Sequence, residues 1–226
     1  MIPLDRTKSL SEPQEDYLKQ IYLLTEAVPL AGTQALADRL GVSPASVTVM
    51  LQKLGSMELV AYEQYKGVRL TESGRAAALE MLRHHRLLES FLHQALGYGW
   101  DEVHDEAEKL EHYISETFES RMAAWLGNPS HDPHGDPIPD SNLNLPPVGT
   151  QALLTDQESG FSGRIVRVGT QDRDELNLFR QLGMVPGADL TLVATADEGL
   201  RVRTGTEPYL LPRPLARKLW VERTAP

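Results

Sequence analysis

Two hydrophobic rhythms meet in this chain, separated by a proline- and glycine-rich segment at residues 127–150. Before the segment, apolar residues return every three or four positions, as on one face of an α-helix. After it they alternate with polar ones, as on a half-buried strand. The segment itself, G-N-P-S-H-D-P-H-G-D-P-I-P-D-S-N-L-N-L-P-P-V-G-T, is made of residues that interrupt both patterns and reads as a linker or extended loop. With 226 residues, the chain is long enough for two or three small domains of different class. In residues 151–226, G-R-I-V-R-V, D-L-T-L-V-A, L-R-V-R-T and P-Y-L-L-P fit the short strands of a small β-barrel. Between them, D-E-L-N-L-F-R-Q-L-G reads as a short helix ending at Gly183.

The first helical block covers residues 9–74. Ser11, Glu12 and Pro13 resemble a helix start, and Tyr17, Ile21, Leu24 and Val28 repeat at helical spacing until Pro29 and Gly32. Thr33 can cap T-Q-A-L-A-D-R-L, which ends at Gly41. Ser43 can cap S-P-A-S-V-T-V-M-L-Q-K-L, with Pro44 where its missing N–H costs nothing. Two short helices around a glycine turn are a helix-turn-helix pattern. L-V-A-Y-E-Q-Y and G-V-R-L-T then read as two strands turning near Lys66 and Gly67, the order of a winged helix.

The second helical block covers residues 71–126. Thr71 and Ser73 offer caps, and Ala76, Leu79, Leu82, Leu87, Leu88, Phe91 and Leu92 give more apolar surface than a lone helix needs, which suggests dimerisation. Residues 97–99 interrupt it, and a second helix is expected from 101 to 126. There V-H-D-E-A-E-K-L-E-H-Y places His104, Glu108, Glu111 and His112 at offsets of four, seven and eight, on one helix face. Carboxylates crowded in this way repel one another unless solvated, protonated or bridged by a cation. A metal site and a solvated acidic face both fit this segment taken alone. His85 and Glu89 in H-H-R-L-L-E lie four apart and add N and O donors on a facing helix; Asp16 could be another donor or only a dipole partner in its first helical turn.

Composition closes off other classes. Without cysteine there is no disulfide, thiolate ligand or cysteine nucleophile. A net charge of −10 argues against indiscriminate nucleic-acid binding, although residues up to 74 nearly balance. No apolar run is long enough to cross a bilayer and the N-terminus lacks a signal-peptide core, so a cytoplasmic location is expected. H-E-x-x-H, G-x-S-x-G and a phosphate-binding glycine loop are all missing, so the chain does not read as an enzyme. A metal-dependent enzyme or a metal-buffering protein is the competing class.

These motifs together resemble the diphtheria-toxin-repressor family of metal-dependent transcriptional regulators, in its three-domain form. The resemblance runs through E-D-Y-L-K-Q-I-Y, V-S-P-A-S-V-T-V-M-L-Q-K-L, L-T-E-S-G-R, H-R-L-L-E, V-H-D-E-A-x-x-x-E-H and P-H-G-D-P-I-P, over nearly the whole chain. It implies an α+β multidomain fold: a winged helix-turn-helix at residues 1–74, a helical metal-binding and dimerisation domain at 75–140, a linker at 141–150 and an SH3-like small β-barrel at 151–226. It implies a primary metal site of Asp16, Glu108, Glu111 and His112. A second would use His85, Glu89 and His104, joined by Asp172 and Glu175 of the terminal domain. Iron-responsive relatives carry Met and Cys where this chain has Asp16 and Glu108. The change resembles the manganese-responsive branch and favours Mn²⁺, with Fe²⁺ as the alternative and Zn²⁺, Co²⁺ or Cd²⁺ as surrogates. Lys19 departs from the short manganese regulators, which have Glu there, and so favours two separate sites. For DNA, the resemblance implies base or backbone contacts from Ser43, Pro44, Ala45, Ser46 and Thr48, with Lys53, Tyr65 and Lys66 on phosphates. The implied partners are a palindromic double-stranded operator and a second copy of the chain, with neither a membrane nor a small-molecule substrate.

Overall fold

The computed structural model describes residues 10–26, 28–63, 66–147 and 149–224. They divide into two compact units. The first holds residues up to 84 together with 111–113 and 141–144; the second holds 85–110, 114–140 and 145 onwards.

In the first unit, helix α1 (Glu12–Thr25) starts where Gln14 Oε1 accepts from both the backbone N–H of Ser11 (2.9 Å) and its hydroxyl (3.0 Å). Tyr17, Leu18, Ile21 and Tyr22 face inward. The helical repeat was expected to reach Val28, but α1 ends at Thr25, whose hydroxyl bonds back to Ile21 O at 2.8 Å, and Val28 is 45% exposed. Gly32, not Thr33, occupies the cap position of α2 (Thr33–Leu40). Gly41 adopts φ +65°, which lets Val42 N–H reach Ala37 O at 3.1 Å and turns the chain into α3 (Pro44–Ser56). Strands β1 (Val60–Glu63) and β2 (Gly67–Leu70) pair antiparallel, Val60 opposite Leu70, and Ala31 adds a bridge to Val68. Leu18, Ile21, Leu36, Val47, Leu51, Leu54 and Val68 are fully buried, so the helix pair and its wing share one core. Thr71 Oγ1 accepts from Gly74 N–H (3.1 Å) at the start of α4 (Glu72–Leu96). A Cβ on Gly74 would lie 1.9 Å from Leu59 O.

Helix α4 continues into the second unit, where it packs with α5 (Val103–Leu110) and α6 (Glu116–Trp125) around Leu87, Leu88, Leu92, Val103, Ala107, Met122 and Ile138. The single helix expected over residues 101–126 is therefore two. Ser115 caps α6 by accepting from Phe118 N–H at 3.2 Å, and residues 111–113 form a turn. The terminal part builds a six-stranded antiparallel sheet in the order β3-β8-β4-β5-β6-β7, with β3 and β7 as its edges. Its strands are β3 (Ala152–Leu153), β4 (Ser162–Val168), β5 (Asp189–Thr195), β6 (Gly199–Arg203), β7 (Tyr209–Pro212) and β8 (Leu219–Arg223). Helix α7 (Arg173–Gln181) seats Leu176 and Phe179 in the sheet's core, and α8 (Arg213–Ala216) precedes β8. Trp100, from the turn before α5, is buried in the same core.

The presumed linker is structured over part of its length. Asp132 Oδ1 accepts from the N–H groups of His134 (2.8 Å) and Asp136 (2.9 Å), folding D-P-H-G-D into a tight turn with Asp132, His134, Asp136 and Ile138 buried. The turn lies against β4. Val168 N–H donates to His134 O at 2.8 Å, and Arg167 pairs with Asp136 at 2.6 Å. Gly135, at φ +85°, has no room for a Cβ, which would lie 2.0 Å from Val166 O.

Candidate metal centres and nucleic-acid face

Because α5 stops at Leu110, the face drawn from residues 103–113 is split. Glu111 and His112 leave the helix and sit in the turn with the first unit; His104 and Glu108 stay on the helix in the second.

In the first unit Asp16, Glu111 and His112 offer donor atoms that all lie within 4.8 Å of one another. His112 Nε2 is 3.2 Å from Asp16 Oδ1 and 3.6 Å from Glu111 Oε1. The other imidazole nitrogen, Nδ1, meets Glu15 Oε2 at 2.7 Å. A carboxylate in that position fixes the tautomer and leaves Nε2 free to face a cation, the usual outer support of a histidine ligand. His84 supports the turn from below, its Nδ1 lying 3.2 Å from the Glu111 carbonyl oxygen. Lys19 is 3% exposed and its ammonium contacts Glu111 Oε1, while Glu111 itself is fully buried. Glu15 and His84 carry no sequence signal of their own beyond lying one residue from a recognised donor.

In the second unit Glu89 is at the centre. Its Oε1 lies 3.0 Å from His85 Nε2 and 3.3 Å from His104 Nδ1, and the two rings stand edge to face with centroids 4.9 Å apart. His85, His104 and Glu108 form one donor group, with Glu108 Oε1 3.8 Å from His104 Nε2. Glu108, assigned by resemblance to the Asp16 site, thus groups here with His104, one turn away on α5. A second donor group, Glu89, Asp132 and His134, is buried throughout. His134 Nε2 lies 2.7 Å from the Trp100 carbonyl, so it carries the proton and donates. Its Nδ1 then faces Glu89 Oε2 at 3.6 Å, beyond hydrogen-bond reach. Glu89 Oε2, Asp132 Oδ2 and His134 Nδ1 are all buried without a hydrogen-bond partner, an arrangement suited to a cation. Nearby, Arg86 Nε stands 4.0 Å from Asp132 Oδ2.

Electrostatics mark the same place. Burial alone would raise the Glu89 carboxyl, but the His85 charge and the His104 and His134 rings hold it well below the usual carboxylate range. Burial and the charges of Asp136 and Glu89 push Asp132 well above that range. Burial pulls His134 down, yet Glu89 and Asp132 more than offset it and bring it up to about 9.

Asp172 and Glu175 belong to none of the donor groups among the described residues. Asp172 caps α7 by accepting from Glu175 N–H at 3.0 Å, and the Glu175 carboxylate is taken by Thr170 and Lys218. Their D-x-x-E spacing reflects a helix start. P-H-G-D-P-I-P carries part of the family resemblance, but nothing in the sequence assigns a role to His134 or to Asp132 just before it; two polar residues in a proline-rich stretch look like loop chemistry until the turn is seen to be buried.

On α3, Ser43 Oγ accepts from Ser46 N–H (3.1 Å) and lies 2.9 Å from the Ser46 hydroxyl; Thr48 Oγ1 donates to Pro44 O (3.0 Å). These hydroxyls are partly committed to the helix itself. The exposed ridge is Ala45, Val49, Gln52 and Lys53, with Val49 66% exposed. Val49 and Gln52 follow Ala45 at helical spacing, the signal by which they could have been found. Lys66 pairs with Glu63 at 2.7 Å on the surface of the wing, and Tyr65 lies outside the described residues.

Comparison with known proteins covers the chain in three pieces. Residues 9–68 match the iron dependent repressor N-terminal DNA binding domain, 71–140 the iron dependent repressor metal binding and dimerisation domain, and 153–223 the FeoA domain. The iron-dependent repressor IdeR of Mycobacterium tuberculosis is 32% identical, over 95% of this chain and 98% of that protein. The HTH-type transcriptional regulator MntR of Bacillus pumilus is 40% identical over 101 residues, 45% of this chain and 69% of its own length. Among solved structures, a manganese-dependent transcriptional repressor in complex with manganese is 38% identical, with a TM-score of 0.87 over 93% of this chain and all of that one.

Proposed function

This chain belongs to the diphtheria-toxin-repressor family of metal-dependent, DNA-binding transcriptional repressors, and on that premise we propose that it is a manganese-responsive member controlling genes of metal uptake or homeostasis. Members of the family act on transcription and are not enzymes. The observation that carries the proposal is the meeting of Asp16, on the first helix of the DNA-binding unit, with Glu111 and His112. Two carboxylates and one imidazole without sulfur suit Mn²⁺ or Fe²⁺, with Zn²⁺, Co²⁺ and Cd²⁺ as surrogates. Glu108 adds to the acidic content of the proposed centres. Glu89 is the proposed hub of a second ion, held with His85 and His104 or with Asp132 and His134.

A bound cation supplies positive charge among carboxylates that otherwise repel. Everything else falls to the chain. Asp16 ties α1 to the turn at residues 111–112, Glu15 keeps His112 Nε2 directed at the donors, and α1 packs on α2, which in turn packs on α3. Fixing α1 therefore fixes the reading helix. Phe118 and Trp125 stand exposed and edge-on to Phe91, which supports a homodimer through this domain. Two copies would present two α3 helices to the half-sites of a palindromic operator. No helix among the described residues is long and apolar enough to cross a membrane, and a cytoplasmic location is part of the proposal.

The test is operator affinity against free Mn²⁺ and Fe²⁺ under anaerobic conditions, on a duplex selected from a random library. Coupling of about 1–3 kcal/mol corresponds to a roughly 5- to 150-fold gain. A larger gain from Fe²⁺ at equal free concentration would assign the chain to the iron-responsive branch. Affinity unmoved by chelator, or by Glu111→Ala, would overturn metal control through this site.

A further inference from the structure

The donor group of the first unit already holds a positive charge. Lys19 lies one helical turn past Asp16 on α1, 3% exposed, with its ammonium against Oε1 of the fully buried Glu111. That oxygen is the one 3.6 Å from His112 Nε2, itself 3.2 Å from Asp16 Oδ1. The ammonium therefore rests on a donor atom of the candidate metal site, not on a bystander carboxylate. A lysine buried this deeply is costly unless paired, and a Met or Leu would fill the same space without that cost. Its position calls for an account in terms of the site.

We propose that Lys19 is a tethered monovalent cation that shares Glu111 with the metal and so sets the concentration at which the site fills. The proposal rests on the reading of Asp16, Glu111 and His112 as the regulatory site. Without metal, the ammonium offsets the charge of Glu111 and keeps it directed at the cluster. With metal, it stands as a like charge beside a divalent ion in a poorly solvated place, which weakens binding. Lys19 acts here as a positioning and threshold residue and not as a ligand, since an ammonium has no lone pair to give.

A merely structural ion pair predicts the opposite sign. If Lys19 only held Glu111 in place, its loss would disorder the donor and weaken metal binding together with stability. Under the proposal, the two properties move apart.

The experiment uses the full chain and Mn²⁺ alone, with affinity and stoichiometry from calorimetric titration and Mn²⁺ electron paramagnetic resonance, and melting followed without metal. Lys19→Met is expected to melt lower in the absence of metal yet bind Mn²⁺ roughly tenfold or more tighter. Lys19→Arg should restore both values to near wild type. Lys19→Gln, which keeps a hydrogen bond to Glu111 without the charge, carries the test if Lys19→Met does not fold. Equal or weaker Mn²⁺ binding in the uncharged variants overturns the role of Lys19. Glu111→Gln separates the two readings. If wild-type Mn²⁺ binding survives Glu111→Gln, the site assignment itself fails; if Glu111→Gln abolishes binding while Lys19→Met leaves affinity unchanged, only the threshold role fails.

Discussion

The two donor clusters are built from the same residue types but balance their charge differently. Around Asp16, Glu111 and His112 the balancing charge belongs to a side chain, the Lys19 ammonium resting on Glu111, while Glu15 backs His112. Around Glu89 the nearest neighbours are imidazoles, the Arg86 guanidinium stands off at 4.0 Å from Asp132 Oδ2, and Glu89 Oε2, Asp132 Oδ2 and His134 Nδ1 face one another without a hydrogen-bond partner. The first cluster can stand without an ion because its ammonium travels with it. In the second, the charges of Glu89 and Asp132 act instead on His134, which they bring up to about 9 against its burial. On the proposed function, the difference suits the first to exchange metal in response to supply and the second to keep its ion as part of the fold.

Removing the central carboxylate from each cluster should expose this difference most strongly. Glu111→Ala removes the carboxylate against which the buried Lys19 ammonium rests. Neutralising a lysine at pH 7 costs about 4–5 kcal/mol against its ordinary pKa, in line with the roughly 3–5 kcal/mol of a broken buried pair. Glu89→Ala removes the carboxylate that His85 and His104 contact, and the expected loss is about 2–3 kcal/mol, mostly hydrogen bonds to a charged group. Melting of the two metal-free variants in parallel checks the order. A lower melting temperature for Glu89→Ala would break the contrast.

The turn carrying Asp132 and His134 can be displaced without altering any donor. Gly135→Ala places a Cβ 2.0 Å from Val166 O at φ +85°, and about 2 kcal/mol of destabilisation is expected from the strain and clash together. If Glu89 depends on this turn, the variant loses one equivalent of bound Mn²⁺, while the affinity measured at the Asp16 cluster stays at its wild-type value. Loss of both equivalents in calorimetric titration would show that the clusters are not independent.

The domain order and most elements were legible in the sequence because each rests on a local signal. Ser43-Pro44 caps α3, Gly41 reverses the chain, and the apolar period changes across residues 127–150. The donors, by contrast, were legible as residue types and only partly as groups. Reading residues 101–126 as one helix put Glu111 and His112 on the face of His104, although Ser115 marks a second helix start that divides them. Lys19 was recognised as a departure, but its contact with Glu111 joins residues 92 apart, which no periodicity encodes. Asp132 and His134 were hidden for the same reason, since the turn is buried by β4 and Trp100, and neither adjoins it in sequence. Asp172 and Glu175, which came only from the family resemblance, lie in this structure as a helix cap and as the partner of Lys218.

Support around a ligand can be loosened more gently. Glu15→Gln keeps a hydrogen bond to His112 but removes the negative charge that makes its Nε2 a better donor. Such outer partners are usually worth 10- to 100-fold in metal affinity, and because Glu15 is partly exposed the lower end, about tenfold, is expected. Melting without metal should scarcely move. Glu15 belongs to the first unit and His85, Glu89 and His104 to the second, so this variant should leave the second Mn²⁺ equivalent unchanged; a shift in both would sink the assignment of Glu15 to the first.

The smallest effect comes from a residue outside both clusters, and it tests whether the clusters act on DNA through the position of α3 or through charge at its surface. Lys53 is exposed in the last turn of α3 and is proposed to meet a phosphate. Lys53→Ala should weaken operator binding a few-fold and lower the slope of log affinity against log salt by about one. The metal-induced gain should keep its wild-type ratio, because neither donor group has lost anything. Should that ratio shrink in Lys53→Ala, metal would be acting through the charge of the DNA-facing surface, and the distinction between an exchangeable cluster and a fixed one would no longer account for regulation.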